Sequence, residues 1–312
     1  MDNELIIKDL KKTYNNGEVV ALDGISFDVR PGELFGLIGP DGAGKTTLFR
    51  LLTTLLLPDS GNASVAGHDI VDDMWEIRKS VGYMPGRFSL YQDLSVEENL
   101  NFFATVFNTT VKENYELIKD IYIQLEPFKD RPAGKLSGGM KQKLALCCAL
   151  VHEPTVLFLD EPTTGVDPVS RKEFWDMLDR LRDRGITILV STPYMDEANR
   201  CDRIALIQNG RLLDVDTLEG IIAKNNQQLW SIKGENMYQL LLDLRAFPQT
   251  ESCFAFGDTH HLSLINGKSD VEQLKKFLAK TGHNTALINP IHANIEDTFI
   301  HLMNKTESAS TH

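Results

Sequence analysis

The sequence predicts an α/β fold, in which a parallel sheet is covered by helices on both faces and a smaller domain follows. Three short apolar runs have the length of buried strands, at residues 34–39, 156–160 and 186–192. They alternate with segments whose apolar residues recur at helical spacing, a pattern typical of parallel sheets. With 312 residues, the chain is long enough for one large domain and one small one.

The helices are predicted by apolar residues three and four positions apart. After the first strand and a glycine-rich stretch, Leu48, Leu51, Leu52 and Leu55 predict a helix. The long stretch before the second strand is mostly helical in pattern and predicts an inserted helical subdomain at about residues 90–150. The helix before the third strand is expected to bury Phe174, Met177, Leu178 and Leu181.

A polar joint at residues 225–228 predicts a domain border near residue 219, which divides the chain into 1–219 and 220–312. The second part alternates strands and helices in the order βαββαβ and ends in a further helix. This order is that of a ferredoxin-like α+β unit. Its adjacent His260 and His261 are expected on opposite faces of a strand, which disfavours joint metal binding. We expect an accessory or regulatory role for 220–312.

Composition narrows the classes of partner. Acidic residues outnumber basic ones by 44 to 32, and the resulting net charge of -12 argues against binding to nucleic acid or to an anionic membrane surface. No apolar run approaches the roughly 18 residues needed to cross a bilayer. The 4 cysteines form no Cys/His cluster typical of zinc sites, and they indicate a reducing compartment.

Residues 39–47 fit the phosphate-loop pattern GxxxxGK[ST], directly after a strand and at the start of a helix. In such a loop, backbone N–H groups surround phosphate oxygens, Lys45 reaches the β and γ phosphates of ATP, and Thr46 offers its hydroxyl to Mg²⁺. Asp41 is expected to point outward, since a carboxylate repels phosphate. The predicted loop consists of Gly39, Pro40, Asp41, Gly42, Ala43, Gly44, Lys45, Thr46 and Thr47.

Asp160 and Glu161 end the second apolar run, at the edge where α/β sheets bind ligands. Asp160 is expected to hold Mg²⁺, directly or through water. Glu161 is then placed as the catalytic base that polarises an attacking water, because in-line phosphoryl transfer needs a positioned nucleophile.

A third motif, LSGGMKQ at residues 136–142, precedes another helical pattern. Together with the phosphate loop and the strand ending in DEP, it resembles the signature of the ATP-binding cassette (ABC) family. The resemblance implies a P-loop NTPase core with N-terminal antiparallel β and helical subdomains. It also implies that Ser137, Gly138 and Gly139 cap the ATP of a second nucleotide-binding domain, in a homodimer or a heterodimer.

The resemblance covers about residues 4–219. It implies that adenine stacks on Tyr14 and that the loop containing Asp167 communicates between two ATP sites. Two positions depart from the family pattern: Gly86 replaces the usual glutamine, and Pro193 replaces the usual histidine. Since proline supplies neither an imidazole nor an N–H, hydrolysis at this chain's own site is expected to be slow, unless Thr192 or Tyr194 compensates.

Three functions are compatible with these motifs. The first is the ATPase subunit of an exporter of the ABC-2 type, whose transmembrane permease subunits are separate chains. It would act at the cytoplasmic face of a bacterial inner membrane, attached through those partners, with no role in nucleic-acid binding. The second is an ABC ATPase that acts on DNA or ribosomes. The third is a regulatory ATP-binding subunit with little hydrolysis.

Overall fold

The computed structural model describes residues 4–310, except for the side chains of Ser269 and of residues 307–310. The chain forms two compact units, divided between Leu218 and Glu219. The strands within the described residues are β1 (Leu5–Tyr14), β2 (Val19–Val29), β3 (Leu34–Ile38), β4 (Ser60–Val65), β5 (His68–Asp69), β6 (Val81–Met84), β7 (Val156–Asp160), β8 (Thr187–Thr192), β9 (Arg203–Gln208), β10 (Arg211–Asp216), β11 (Leu229–Lys233), β12 (Thr250–Phe256), β13 (Thr259–Leu264) and β14 (Leu287–Ile291).

Helices connect most of these strands. Those in the described part of the chain are α1 (Lys45–Leu52), α2 (Met74–Ser80), α3 (Val96–Val106), α4 (Tyr115–Tyr122), α5 (Gly138–Leu150), α6 (Pro168–Asp183), α7 (Leu218–Ala223), α8 (Met237–Ala246), α9 (Val271–Lys280) and α10 (Ile295–Ser310). No helix among residues 4–310 has the length and apolar character needed to cross a membrane.

The central sheet of the first unit has the strand order β10-β9-β3-β8-β7-β6. Neighbours from β9 to β6 are parallel, and β10 is antiparallel to β9. The predicted parallel sheet is therefore confirmed, and the three predicted strands are β3, β7 and β8. Every residue of β3 and β7 is buried, because helices cover both faces.

An antiparallel sheet, with the order β2-β1-β4-β5, forms the N-terminal part of the same unit. Its apolar face shares one core with α1 and with one face of the central sheet. Helix α1 ends at Leu52, so the prediction that Leu55 continues its buried face is wrong. Thr54 adopts a left-handed backbone conformation, with φ of 58°, and the side chain of Leu55 is 55% exposed.

The helical insertion consists of α3, α4 and α5. Ser95 and Glu98 form a reciprocal capping box at the start of α3. The apolar faces of the three helices pack with α6 and the other face of the central sheet in one core. This insertion places the SGG sequence at the N-terminus of α5, since Ser137 caps that helix.

The second unit has the strand order β12-β13-β11-β14, and all neighbouring strands are antiparallel. This order confirms the predicted ferredoxin-like unit. One face of the sheet forms a core with α8 and α9. The imidazole Nε2 of His260 lies 2.7 Å from the carbonyl oxygen of Met237 on α8, whereas Nδ1 of His261 lies 2.8 Å from a carboxylate oxygen of Asp297 on α10. The two imidazoles therefore bind different helices.

Candidate nucleotide-binding site

The phosphate loop connects β3 to α1 and has an open, glycine-dependent backbone. Gly42 and Gly44 have φ of 79° and 108°, values that L side chains rarely adopt. A Cβ on Gly39 would lie 2.1 Å from the carbonyl oxygen of Ile207, so only glycine fits there. Asp41 is exposed and is one of the residues that line the cavity above this loop, so its outward orientation stays a prediction.

Lys45 is held at the base of this loop and is only 3% exposed. Its ammonium group donates hydrogen bonds to the carbonyl oxygens of Gly39 and Pro40, at 2.8 Å and 2.9 Å. It also lies 3.1 Å from a carboxylate oxygen of Glu161. Lys45, the predicted phosphate-binding cation, and Glu161, the predicted catalytic base, are therefore direct neighbours.

A cavity of about 430 Å³ opens above the loop. It brings together Tyr14, the phosphate loop and Glu161, three features that are distant in the sequence. The hydroxyl groups of Tyr14 and Thr47 are 3.3 Å apart. Val19 and Val20, which the sequence reasoning missed, form an apolar wall although each is about half exposed. An apolar wall beside a tyrosine suits a flat aromatic base, and the glycine-rich floor suits phosphate.

Asp160 ends β7 and is buried. One of its carboxylate oxygens accepts a 2.7 Å hydrogen bond from the hydroxyl of Ser191 on β8, and Ser191 also accepts a hydrogen bond from the backbone N–H of Glu161. Ser191 is a residue that the sequence reasoning missed, because a serine inside an apolar strand has no distinctive pattern. Burial, and to a smaller extent the negative charge of the Asp160 carboxylate, raises the pKa of Tyr83 to about 12.

The oxygen ligands that Mg²⁺ prefers are present in the hydroxyl of Thr46 and the carboxylate of Asp160. The described residues contain no cluster of three or more His, Cys, Asp or Glu side chains that could hold a metal by itself. Such a donor set fits an ion that is shared with phosphate oxygens and water, as magnesium is in nucleotide sites.

The two departures from the family pattern flank Asp160 and the phosphate loop. A Cβ on Gly86 would lie 3.0 Å from the carbonyl oxygen of Asp160. Pro193 directly follows Thr192, whose carbonyl accepts a 3.2 Å hydrogen bond from the N–H of Gly39. Tyr194 donates its N–H to the Thr192 hydroxyl, and the Arg171 guanidinium lies 4.4 Å from its ring centre.

The SGG signature lies outside the cavity formed by this chain's own phosphate loop. The Ser137 hydroxyl accepts a 3.3 Å hydrogen bond from the N–H of Met140. A Cβ on Gly139 would lie 2.8 Å from the hydroxyl oxygen of Ser170 on α6, whereas the nearest atom to a Cβ on Gly138 is 3.9 Å away. Gly139 thus packs tightly against α6, and Gly138 is open.

Asp167 caps α6. Its carboxylate accepts hydrogen bonds from the backbone N–H groups of Val169 and Ser170, at 3.1 Å and 3.0 Å. The bond from the Ser170 N–H, more than the others, holds the pKa of Asp167 below its ordinary value. This geometry is that of a helix cap.

A phosphate loop between a parallel strand and a helix, with carboxylates at the end of a neighbouring strand, defines a P-loop nucleotide-binding protein. Comparison with known proteins narrows this class. Residues 22–164 match the ABC transporter family. The chain is 35% identical to Nod factor export ATP-binding protein I of a Rhizobium species, over 94% of each protein. The chain belongs to the ABC transporter family.

Two further similarities agree with this assignment. The probable multidrug ABC transporter ATP-binding protein YbhF of Escherichia coli is 40% identical over 77% of this chain, and the match spans 42% of the length of YbhF. The solved structure of cbiO1 from Clostridium perfringens, part of the ABC transporter complex cbiONQ, has a TM-score of 0.64 and 29% identity. That match covers 72% of this chain and 92% of cbiO1.

Proposed function

We propose that this chain binds and hydrolyses ATP to power a membrane exporter whose transmembrane permease subunits are separate chains. The single observation that carries the proposal is the cavity in which Tyr14, the phosphate loop and Glu161 meet. The names of the two relatives support transport, and one of them, Nod factor export ATP-binding protein I, supports export as the direction. The chain would act at the cytoplasmic face of a bacterial inner membrane, bound to its permease.

The chemistry follows from the positions of the side chains. Lys45 and the loop N–H groups would hold the β and γ phosphates, and Tyr14 would stack on adenine. Glu161 would accept a proton from the attacking water. Magnesium, when bound at Thr46 and Asp160, would neutralise charge on the phosphate oxygens. Ser137, Gly138 and Gly139 of a second nucleotide-binding domain would cover the nucleotide, so that ATP closes the dimer and hydrolysis reopens it.

The permease would dock in a groove beside the helical insertion. A mainly apolar cavity of about 270 Å³ opens there, and its walls come from β6, α3 and α5. Leu90, Phe103 and Phe107 are among the apolar residues that line it, and so is Leu55, which is exposed. A short amphipathic helix from the cytoplasmic side of a permease fits a groove of this kind.

Leu55→Glu is expected to abolish co-purification with the permease and to leave ATP binding unchanged. A charge in the lining of the groove would have to lose water when the partner helix docks. Leu57→Glu is the matched control, because Leu57 is 53% exposed, close to the 55% of Leu55, and does not line the groove. Pull-down of tagged permease measures the effect. If both variants lost co-purification with the permease equally, or if neither variant lost it, the groove would be excluded as the docking site.

We also propose that ATP bound at this chain's own phosphate loop is hydrolysed slowly. Gly86 lies against the backbone of Asp160, and Pro193 follows Thr192, whose carbonyl bonds the phosphate loop, but neither residue offers a side-chain hydrogen-bond donor. Loss of one group that stabilises developing charge slows chemistry by about 10²- to 10³-fold. A heterodimer with one slow and one fast site would suit this arrangement, since the SGG signature can complete the site of a different partner.

Pro193→His is expected to raise single-turnover ATP hydrolysis at least about tenfold, because it restores an imidazole beside the reacting phosphate. Pro193→Ala is the matched control, since it frees the backbone without adding an imidazole. Rapid-quench assays with purified protein measure both. If Pro193→His hydrolysed ATP no faster than the wild-type chain, the proposal would be contradicted. Compensation by a neighbouring group would then be favoured.

A regulatory subunit with little hydrolysis is the second candidate, and the same two positions favour it. In that case, ATP would bind tightly and addition of the permease in vesicles would not stimulate turnover. Stimulation by the permease would support the exporter ATPase instead.

A further inference from the structure

Glu197 is a buried carboxylate that joins separate segments of the nucleotide-binding unit. Its side chain is 3% exposed. Its Oε1 atom accepts hydrogen bonds from the hydroxyl of Thr163 at 2.8 Å, from Nε of Arg171 at 2.6 Å and from the indole N–H of Trp175 at 2.8 Å. Arg171 and Trp175 lie on α6, whereas Glu197 lies in the 3₁₀ helix Met195–Arg200. One carboxylate oxygen thus connects the loop after β7, helix α6 and the segment after β8.

Arg171 holds the segment after β8 by further contacts. Its guanidinium donates to both carboxylate oxygens of Asp196, each at 2.9 Å, and packs on the ring of Tyr194. Tyr194 directly follows Pro193. Three residues that come soon after Pro193 therefore contact the same arginine, namely Tyr194, Asp196 and Glu197. Because arginine binds a carboxylate in a fixed planar geometry, these contacts define where the segment lies relative to α6.

Thr163 anchors the other loop, which carries Glu161. The backbone there is a series of turns, in which Thr164 donates its N–H to the carbonyl of Glu161 and Val166 donates its N–H to the carbonyl of Thr163. Glu161 itself has φ of 50°, in the left-handed region. The Thr163 side chain is buried and bonds Glu197. Turns lack the regular backbone hydrogen bonds that fix a strand or a helix. The hydrogen bond from the Thr163 hydroxyl to Glu197 therefore constrains the loop strongly.

Stability alone does not explain why a charged group occupies this position. The Oε2 atom of Glu197 is buried and has no hydrogen-bond partner among the residues that the structure describes. A buried oxygen without a partner is unfavourable, and apolar residues of similar shape would avoid that penalty. All three bonds that the carboxylate accepts fall on one oxygen, and they join the loop that carries Glu161 to α6 and to the segment after Pro193.

We propose that Glu197 is a positioning residue for ATP hydrolysis. Through Thr163 it ties the loop that carries Glu161 to the segment after Pro193, and through Arg171 it fixes that segment against α6. The two loops would therefore move together when the signature of the second nucleotide-binding domain closes over the nucleotide. This proposal rests on the proposed ATPase function, because it concerns the alignment of the groups that perform hydrolysis.

Thr163→Val tests the proposal, because valine keeps the shape of threonine and removes the hydroxyl that bonds Glu197. We expect kcat to fall about tenfold with KM for ATP unchanged, since the phosphate loop is untouched. Thr163→Ser restores a hydroxyl and should return kcat to within about twofold of wild type. Glu197→Gln keeps the size and one acceptor oxygen but removes the charge, and it should lower kcat in the same way.

Asp176→Asn is the matched control. Asp176 on α6 lies 2.7 Å from Arg200 at the end of the same 3₁₀ helix, so this variant weakens an ion pair between the same elements without touching Thr163. It should lower the melting temperature but leave kcat unchanged. Three results would overturn the proposal: wild-type kcat in Thr163→Val, no rescue by Thr163→Ser, or an equal loss in Asp176→Asn. A wild-type chain that hydrolyses no ATP would overturn the proposed function as well.

Discussion

Glu161→Gln is expected to lower ATP turnover about 10²- to 10³-fold and to retain ATP binding. Glutamine has nearly the same shape as glutamate but cannot accept a proton from the attacking water. The phosphate loop remains intact in the variant, and Lys45 keeps its hydrogen bonds to the carbonyl oxygens of Gly39 and Pro40. Single-turnover assays measure hydrolysis, and equilibrium titration with a fluorescent ATP analogue measures binding.

Glu76→Gln is the control for this substitution. Glu76 is an exposed carboxylate that also pairs with a lysine, Lys79 at 3.0 Å, but it lies on α2 and outside the cavity. The control should hydrolyse ATP at the wild-type rate. If Glu161→Gln turned over ATP within about threefold of the wild-type rate, the loss would be far smaller than that expected on removal of a general base. Glu161 would then not be that base.

Gly138→Asp is the second substitution with a large expected effect. A Cβ at this position would meet no atom outside its own stretch of helix closer than 3.9 Å, so we expect the fold to tolerate a side chain there. The new carboxylate would face the phosphates of ATP bound to the second domain and would repel them. We expect ATP hydrolysis to fall about 100-fold, while ATP still binds to this chain's own phosphate loop. Gly138→Ala adds volume without charge and is the matched control.

Mixing two inactive variants tests whether the composite site forms between chains. Lys45→Ala has a damaged phosphate loop and an intact signature, whereas Gly138→Asp has the reverse. A mixed dimer contains one site in which both parts are intact. Random pairing should therefore restore up to about a quarter of wild-type hydrolysis if the chain forms homodimers and the sites act independently. Recovery that does not exceed the sum of the two separate variants would exclude a head-to-tail homodimer.

Much of the fold was predictable because its strongest patterns are local. The strands β3, β7 and β8 are continuous apolar runs, and the ferredoxin-like order of the second unit follows from alternating strand and helix patterns. Strand β6 was missed because it has only four residues, VGYM, which are too few to show a period. The end of α1 was misplaced because the left-handed conformation at Thr54 depends on tertiary contacts, including the hydrogen bonds of Arg78 to its hydroxyl and carbonyl oxygens.

The candidate site was likewise predictable only where its residues form local sequence motifs. The phosphate loop is one continuous motif and the carboxylates at the end of β7 are another, so the chemistry of each could be inferred from its own spacing. Ser191 and Glu197 could not be identified in that way, because their partners lie 22 to 34 residues away in the chain. A serine in an apolar strand and a glutamate in a short acidic run resemble many residues without a function. Only the folded arrangement shows which groups they contact.

The glycines around the phosphate loop have a thermodynamic consequence. Gly39 lies against the backbone of Ile207 on β9, and a Cβ on either Gly44 or Gly210 would meet the carbonyl oxygen of Ala21 on β2. The loop is thus braced by strands from two different sheets. A loop braced in this way loses little conformational entropy when phosphate binds. Under the proposed function, more of the binding free energy of ATP would then be available to draw two nucleotide-binding domains together.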